Sequence, residues 1–274
     1  MTTTTDPERA TTTEPVRSVT AEPGGTTTAE PGGTTTADSV GLSTTDRVSA
    51  AFFDVDETLI SCKSMLSFLA FHWGREGRAP ARLTAARAAL GHQLRSGVPR
   101  EQVNRAYYRL LRGSRERDLE ESGRLWFARE RARDLFHPPV REALRQHHRA
   151  GHLTILLSGS FAACLAPISR SVGADLLICT TPEATDGILT GDLVDRPMIG
   201  AAKAEAARRV MTAFGLDPAD CHAYADDASD LPLLAAVGHP VVVGSDPVLA
   251  SRAALDHWRR LPSPAMSGLL APAA

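Results

Sequence analysis

A short apolar segment that ends in two aspartates constrains the fold of this chain more than any other feature. Residues 50–59 read AAFFDVDETL, and the apolar part shows no alternation of polar and apolar side chains. Such a run predicts a strand buried on both faces, as in a parallel sheet covered by helices. Asp54 and Asp56 then lie at the carboxyl end of the strand, where open α/β sheets bind their ligands. Because side chains alternate along a strand, both carboxylates can point the same way and share one cation.

An isolated D-x-D pattern more often caps a helix or a turn, so its meaning depends on three later motifs. Each follows a predicted strand or opens a predicted helix: Ser158 after strand 152–157, Lys203 in helix 200–214, and Asp226 and Asp230 after strand 221–225. The pattern also predicts strands at 174–180 and 240–243, helices at 161–172 and 246–258, and a hairpin within 181–199. Strands that alternate with helices predict a three-layer α/β fold around a parallel sheet.

An arginine-rich segment without a convincing strand separates the first two strands. Five helices are predicted there, the first at 64–73 and capped by Ser61 or Ser64, with breaks where glycine, proline or serine occur. From Arg75 to Arg149 the segment holds 18 arginines against 9 acidic residues. Solvated helix faces account for most of them, and the excess can focus an anionic substrate toward a cleft. Nucleic acid is disfavoured as a partner because no aromatic stacking pattern accompanies the arginines.

Composition divides the chain into ordered and disordered parts. Residues 1–47 consist mostly of threonine, proline, glycine and glutamate, and TAEPGGTT occurs twice in succession. Such a segment buries too little apolar area to offset its ordering entropy, so it is predicted to be disordered. The predicted domains are a core at 48–63 and 150–261, a helical cap at 64–149, and a flexible tail at 262–274.

Cysteine usage and hydropathy bear on the cellular setting. The four cysteines are scattered without a C-x-x-C pair, which predicts reduced thiols rather than disulfides or a zinc site. Neither a signal-peptide pattern nor an apolar run of membrane-spanning length is evident. We therefore expect a soluble, cytoplasmic protein without a membrane partner.

Two lysines and three histidines admit more than one interpretation. Lys63 and Lys203 are the only lysines in a chain with 30 basic residues. One reason to keep lysine is a need for a compact ammonium instead of a planar guanidinium, although chance retention explains either one alone. His147, His148 and His152 resemble a metal cluster, but their polar surroundings favour solvated side chains.

The order D-x-D-x-T, strand–Ser, helix–Lys and strand–D-x-x-x-D resembles the haloacid dehalogenase (HAD) superfamily of phosphotransferases. The helical insertion after the first motif, together with the sequence DASDLPLL, is similar to the phosphoserine-phosphatase-like branch. The resemblance spans Val48 to about Leu261. It implies a Rossmann-like core with a helical cap inserted after the first strand.

The same resemblance implies roles for the acidic residues. Asp54 would be the nucleophile that forms an aspartyl-phosphate, and Asp56 the acid and base that serves the leaving group and then water. Asp226 would complete a Mg²⁺ site with the Asp54 carboxylate and the Asp56 backbone carbonyl. Asp230 would bind a metal-bound water or orient Lys203.

Further positions match residues that contact the substrate. Ser158 and Lys203 would bind the phosphoryl oxygens, and Thr58 would hydrogen-bond the nucleophile or the phosphate. Lys63 stands nine residues after Asp54, where phosphoserine phosphatases have a glutamate that holds the substrate ammonium. A lysine reverses this charge requirement and argues against phosphoserine, unless Lys63 simply points to solvent.

These observations predict a Mg²⁺-dependent phosphomonoesterase that acts on a small anionic phosphorylated metabolite. A phosphotransferase or phosphomutase is the alternative, and differs in whether the capped site admits water. Carbon–halide hydrolysis is disfavoured because it does not need the acid and base Asp56. A non-catalytic phosphometabolite-binding module would be expected to lack Asp54 or Lys203, and both are present. The sequence specifies neither the substrate nor the oligomeric state.

Overall fold

The computed structural model describes residues 49–78 and 80–262. The predictions for residues 1–47 and for nearly all of the tail lie outside these ranges. The strands are β1 (Ala50–Asp54), β2 (Leu153–Phe161), β3 (Leu176–Thr180), β4 (Pro182–Thr185), β5 (Ile188–Leu193), β6 (His222–Ala225), β7 (His239–Val243) and β8 (Arg259–Leu261). The helices are α1 (Ser64–Arg75), α2 (Pro80–Arg95), α3 (Arg100–Leu110), α4 (Glu116–Arg131), α5 (Pro138–Arg149), α6 (Ala162–Val172), α7 (Ala201–Phe214), α8 (Leu231–Leu234) and α9 (Pro247–Leu255). None of these helices combines the length and the apolar character needed to cross a membrane.

The main sheet is parallel, has six strands and is covered on both faces. Its order is β3-β2-β1-β6-β7-β8, so β1 lies between β2 and β6. All five residues of β1 are buried, with Phe53 and Phe52 in two separate apolar clusters. A strand buried on both faces cannot alternate polar and apolar side chains, which explains its continuous apolar sequence. The predicted three-layer α/β fold is confirmed.

One strand of the sheet escapes sequence analysis, and one predicted hairpin is present. The strands β4 and β5 pair antiparallel, as the turn residues predict. No strand is predicted after the helix at 246–258, yet the edge strand β8 begins at Arg259, and α9 itself stops at Leu255. Strand β8 is short and begins with two exposed arginines, a common property of edge strands that removes the apolar signal.

The helix α5, which is predicted to be part of the cap, contacts elements of the core. It packs against β2 and α6 through buried residues such as Val140 and Leu144. Just before α5 the chain returns to the end of β1, where the Ser61 amide donates to the Leu135 carbonyl at 2.8 Å. On these contacts we propose that the insertion ends near Leu135 and that α5 belongs to the core.

The remaining inserted helices cover the carboxyl edge of the sheet. Helix α4 packs on α6 and α3 packs on β5. The backbones of α4 and α6 approach so closely that a Cβ at Gly123 would lie 1.7 Å from the Ala163 carbonyl oxygen. Above the site, Asn104 Nδ2 and the Tyr108 hydroxyl both donate to the Gly159 carbonyl, at 2.9 and 3.0 Å. The cap is therefore closed on the core.

Candidate active site

A partly open cavity of about 170 Å³ lies between the carboxyl edge of the sheet and helix α3. All the site residues predicted from the sequence line it except Thr58. They are Asp54, Asp56, Lys63, Ser158, Lys203, Asp226 and Asp230. Most of these side chains lie in or just after β1, β2 and β6. They come together because these strands are parallel neighbours whose carboxyl ends meet at one edge of the sheet.

The turn after β1 folds the chain back over the strand end. The amides of Leu59 and Ile60 both donate to the Val55 carbonyl at 3.0 Å. Glu57 adopts a left-handed backbone conformation with φ of 61°, which is uncommon for a residue with a side chain. The turn presents both aspartates to the cavity.

Asp56 provides the cap of α1, a function that the sequence analysis assigns to Ser61 or Ser64. Its Oδ1 accepts from the Ser64 amide at 3.0 Å, whereas Lys63 is the residue that precedes the helix. The Ser61 hydroxyl donates to the Leu135 carbonyl instead. The predicted serine cap is wrong, because a carboxylate from the preceding turn reaches the helix terminus first.

Lys203 is the buried cation of the site. It is 3% exposed and lies in the first turn of α7, where its ammonium group is 2.6 Å from Asp54 Oδ1 and 2.6 Å from Asp230 Oδ2. Burial lowers the pKa of Lys203, but Asp230 and Asp54 more than compensate and hold it above its usual range. A buried ammonium between two carboxylates keeps its charge and fixes the orientation of Asp54.

Thr58 supports the acidic residues from behind the cavity. The buried hydroxyl is 2.8 Å from Asp226 Oδ1 and 3.3 Å from Asp54 Oδ2, so its proton is best placed for Asp226. The geometry matches the interpretation in which Thr58 orients carboxylates. Its contact with phosphate stays a prediction.

The acidic residues are buried close together, which disfavours the ionised form of three of their carboxyl groups. Burial and Asp54 raise the pKa of Asp226 to about 8 and that of Asp56 to about 6. Burial also raises the pKa of Asp230 to about 6, although Lys203 opposes this. Crowded carboxylate oxygens of this kind are the ligands that Mg²⁺ prefers, so the donor set fits a divalent cation.

Ser158 lies at an irregularity of β2. The pairing of β2 with β3 shifts register between Ser158 and Phe161, and the Ser158 Oγ accepts from the Ser160 amide at 3.1 Å. The hydroxyl hydrogen of Ser158 remains available to an anion in the cavity. The next residue is a glycine, and a Cβ there would lie 2.8 Å from the Ile199 side chain.

Two ion pairs lie at the far side of the cavity. Of their four residues, only Lys63 is predicted from the sequence as a site residue. Lys63 pairs with Glu57, and its side chain is 50% exposed. Arg100, at the start of α3, pairs with Asp227 across the boundary between cap and core. Asp227 also accepts from the Ser229 amide. Arg100 is one of many arginines in the cap, so no pattern in one sequence distinguishes it.

Two polar residues of α3 complete the cavity and are also missed. Asn104 uses its amide nitrogen on Gly159, while its buried Oδ1 has no hydrogen-bond partner among the residues described. The Tyr107 hydroxyl donates to the Met65 carbonyl at 2.9 Å. Asn104 therefore offers an acceptor to a ligand in the cavity.

One of the three histidines predicted to be solvated, at the opposite edge of the sheet, is buried. His147 is buried instead of solvated, and its Nε2 lies 2.9 Å from the Tyr224 hydroxyl. Burial and the neighbouring imidazoles lower the pKa of His147 to about 3. The polar composition around it misleads because α5 packs on the sheet at this point.

Comparisons with known proteins agree with this geometry. A family model described as haloacid dehalogenase-like hydrolase matches residues 51–235. The "Inhibition of morphological differentiation protein" of Streptomyces azureus is 33% identical over 219 residues, covering 77% of this chain and 76% of that protein. Phosphoserine phosphatase SerB1 of Mycobacterium tuberculosis is 31% identical over 220 residues, covering 77% and 69% respectively.

Solved structures extend the likeness to three dimensions. A Bordetella pertussis protein described as of unknown function has a TM-score of 0.70 at 28% identity and covers 78% of this chain and 98% of its own. A phosphoserine phosphatase solved as a phospho-aspartyl intermediate analogue has a TM-score of 0.58 at 18% identity and covers 78% and 100%, which bears on the fold alone. With its six-stranded parallel sheet, its acidic carboxyl edge and these relatives, the chain belongs to the haloacid dehalogenase-like hydrolase family and is an enzyme of its phosphatase type.

Proposed function

We propose that the protein is a Mg²⁺-dependent phosphomonoester hydrolase that acts on a small anionic metabolite through an aspartyl-phosphate on Asp54. The observation that carries the proposal is the Asp54 carboxylate, held at 2.6 Å by the buried Lys203 at the floor of the cavity. A fixed carboxylate beside a cation is suited to nucleophilic attack on a phosphoryl group.

The reaction has two steps in this proposal. An oxygen of Asp54 forms a bond to phosphorus while the bond to the leaving oxygen breaks, and Asp56 gives that oxygen a proton. Asp56 then takes a proton from water as the water attacks phosphorus. The Asp54–phosphate bond breaks, and the products are the alcohol and inorganic phosphate.

The remaining polar groups offset charge on the phosphoryl oxygens. Lys203 supplies a positive charge and Ser158 a hydroxyl donor, without rearrangement during the reaction. The carboxylates of Asp54 and Asp226 and the backbone carbonyl of Asp56 would hold Mg²⁺. When bound, the cation reduces the repulsion between the carboxylate and the anionic substrate.

The substrate is proposed to carry a second anionic group. Lys63 and Arg100 both reach the cavity, on the side away from Asp54 in the proposed orientation of the substrate. Relatives are named phosphoserine phosphatase, but an ammonium group next to Lys63 would be repelled. A carboxylate or second phosphate is attracted by both residues, although each already has an acidic partner in the protein.

Hydrolysis is proposed over phosphoryl transfer because relatives of the chain are named phosphatases. We place the reaction in the cytoplasm, since the four cysteines are free thiols, as expected in a reducing compartment.

The test is a screen of the purified full-length protein against phosphorylated metabolites with Mg²⁺, with phosphate release as the readout. Substrates with a second anion are expected to give the highest kcat/KM. The active-site control is Asp54→Asn, and the substrate panel includes phosphoserine. Phosphate release that is equal in the two proteins would overturn the proposal.

A further inference from the structure

A second group of potential ligands lies at the amino edge of the sheet, opposite the carboxylates. His152 directly precedes β2, and His222 and His239 are the first residues of β6 and β7. His147 lies in the last turn of α5. These imidazoles line an open cleft of about 580 Å³ that is separate from the cavity above Asp54.

The register of the sheet brings the imidazoles together. His222 pairs with Ala51 of β1, whose small side chain leaves room above the sheet. The ring of His152 stacks on that of His222 with a centroid distance of 5.6 Å, and His239 stacks on the other side at 4.6 Å. His147 lies 4.5 Å from His222, measured between ring centroids.

Nitrogen atoms of three of the rings lie close together. Each of His147, His152 and His222 offers one nitrogen, and these atoms all lie within 4.8 Å of one another. Nδ1 of His147 is 3.0 Å from Nδ1 of His152. Nitrogens that share a tetrahedral Zn²⁺ are each about 2.0 Å from the ion and hence roughly 3.3 Å apart. Binding of the ion would therefore draw the most widely spaced pair together by at most about 1.5 Å.

The surroundings orient the ligands and suit a cation. The Tyr224 hydroxyl holds Nε2 of His147 at 2.9 Å, which leaves Nδ1 for the cluster, and Tyr224 itself stacks on Phe53 at 4.5 Å. Such outer contacts fix the tautomer and direction of metal-binding histidines. The carbonyl end of α5 adds partial negative charge at the same place.

We propose that His147, His152 and His222 form a second metal site, for a borderline transition-metal ion of which Zn²⁺ is the probe. Imidazole nitrogens favour such ions over Mg²⁺, which prefers oxygen ligands. Three ligands leave a fourth position open toward the cleft, where water can complete the tetrahedron. The ion would tie α5 to strands β2 and β6.

The charged groups around the cleft set the affinity. Arg259 of β8 lines the cleft and opposes a dication, while Asp256 lines it with the opposite charge. The negative charge of Asp220 favours positive charge at His222, and so favours a cation as Asp256 does. Because Arg259 is exposed and makes no contribution to the core, Arg259→Gln should tighten binding of Zn²⁺ by several-fold.

The test uses untagged full-length protein, stripped with a chelator and titrated with Zn²⁺ in excess Mg²⁺ by calorimetry. We expect one equivalent to bind and the Tm to rise by several degrees. The variant His222→Asn should weaken binding at least about tenfold and abolish the Tm rise. The matched control is His92→Asn, an exposed histidine of α2, which should bind as the original protein does.

A second variant keeps the core intact. Tyr224→Phe retains the stacked ring and removes only the hydroxyl that orients His147, so it should fold and bind Zn²⁺ more weakly. Absence of stoichiometric Zn²⁺ binding to the original protein would overturn the proposal. So would equal binding by His222→Asn, Tyr224→Phe and the control.

Discussion

The two edges of one sheet carry opposite chemistry. At the carboxyl edge, aspartates and a buried lysine lie in a small cavity under the cap. At the amino edge, histidines lie in a larger cleft. Strand β6 serves both, since it begins with His222 and is followed by Asp226.

Helix direction explains why the same architecture separates the two. Helices α1 and α7 begin near the carboxyl edge, and their amide ends favour anions such as Asp56 or a phosphate. Helix α5 ends at the amino edge, with basic residues in its last turn and the negative end of its dipole there. Parallel α/β folds thus provide one edge for anions and the other for cations.

The largest expected effect tests whether Asp54 is the nucleophile. Asp54→Asn should lower kcat by at least about 10³-fold, because an amide cannot form the covalent intermediate. Binding of Zn²⁺ at the opposite edge should not change. Steady-state kinetics and calorimetry on the same preparation measure both, and a near-normal rate with Mg²⁺ would remove the covalent mechanism.

Removal of metal ions distinguishes the two edges, because the proposed ligands are oxygen atoms at the carboxyl edge and nitrogen atoms at the amino edge. EDTA should silence hydrolysis, and Mg²⁺ alone should restore it because the oxygen donors at the carboxyl edge suit that ion. Ca²⁺, which tolerates looser geometry, should restore it poorly. Phosphate release is followed while each ion is added back. Full activity in excess chelator would contradict the assignment of Asp54 and Asp226 as ligands.

A smaller effect is expected at the rim of the cavity above Asp54. Lys63→Glu should raise KM well over tenfold for a substrate with a second anion, because it replaces attraction with repulsion. An aryl phosphate without that anion should respond much less. The neutral variant Lys63→Gln is the matched control and should give an intermediate KM. Equal losses of kcat/KM for both substrates would show that Lys63 does not contact the substrate.

The smallest effect is expected from removal of the amino-terminal segment. Removal of residues 1–47 should alter neither Tm nor kcat, since their composition offers almost nothing to bury. Calorimetry and kinetics of the shortened chain measure this. A fall in Tm of several degrees would mean that the segment docks on the folded part.

The sequence predicts features that depend on strand ends and misses those that depend on packing between distant elements. Local patterns predict most strands along the chain and the hairpin. They also predict that Asp54, Ser158 and Lys203 lie at one cavity. The burial of His147 does not, because it arises where α5 meets the sheet. Arg100 is likewise indistinguishable by sequence from arginines that face solvent.

Capping shows the same limit at short range. Serine before a helix is a sound local signal for a helix cap. Here Asp56 caps α1 instead, because a tight turn brings its carboxylate back to the first amide of the helix. That turn depends on the left-handed backbone of Glu57, which the residue type does not reveal. Three-dimensional competition for one backbone amide cannot be read from one sequence.

The ion pair between Arg100 and Asp227 has a consequence for how ligands enter and leave. It joins cap to core, so exchange through a separation of the two must break it. An incoming anion that binds Arg100 displaces Asp227, and the net gain is the difference between two ionic contacts rather than the whole of one. Ligand recognition at this position is thus an exchange of partners, in which the protein supplies its own competitor.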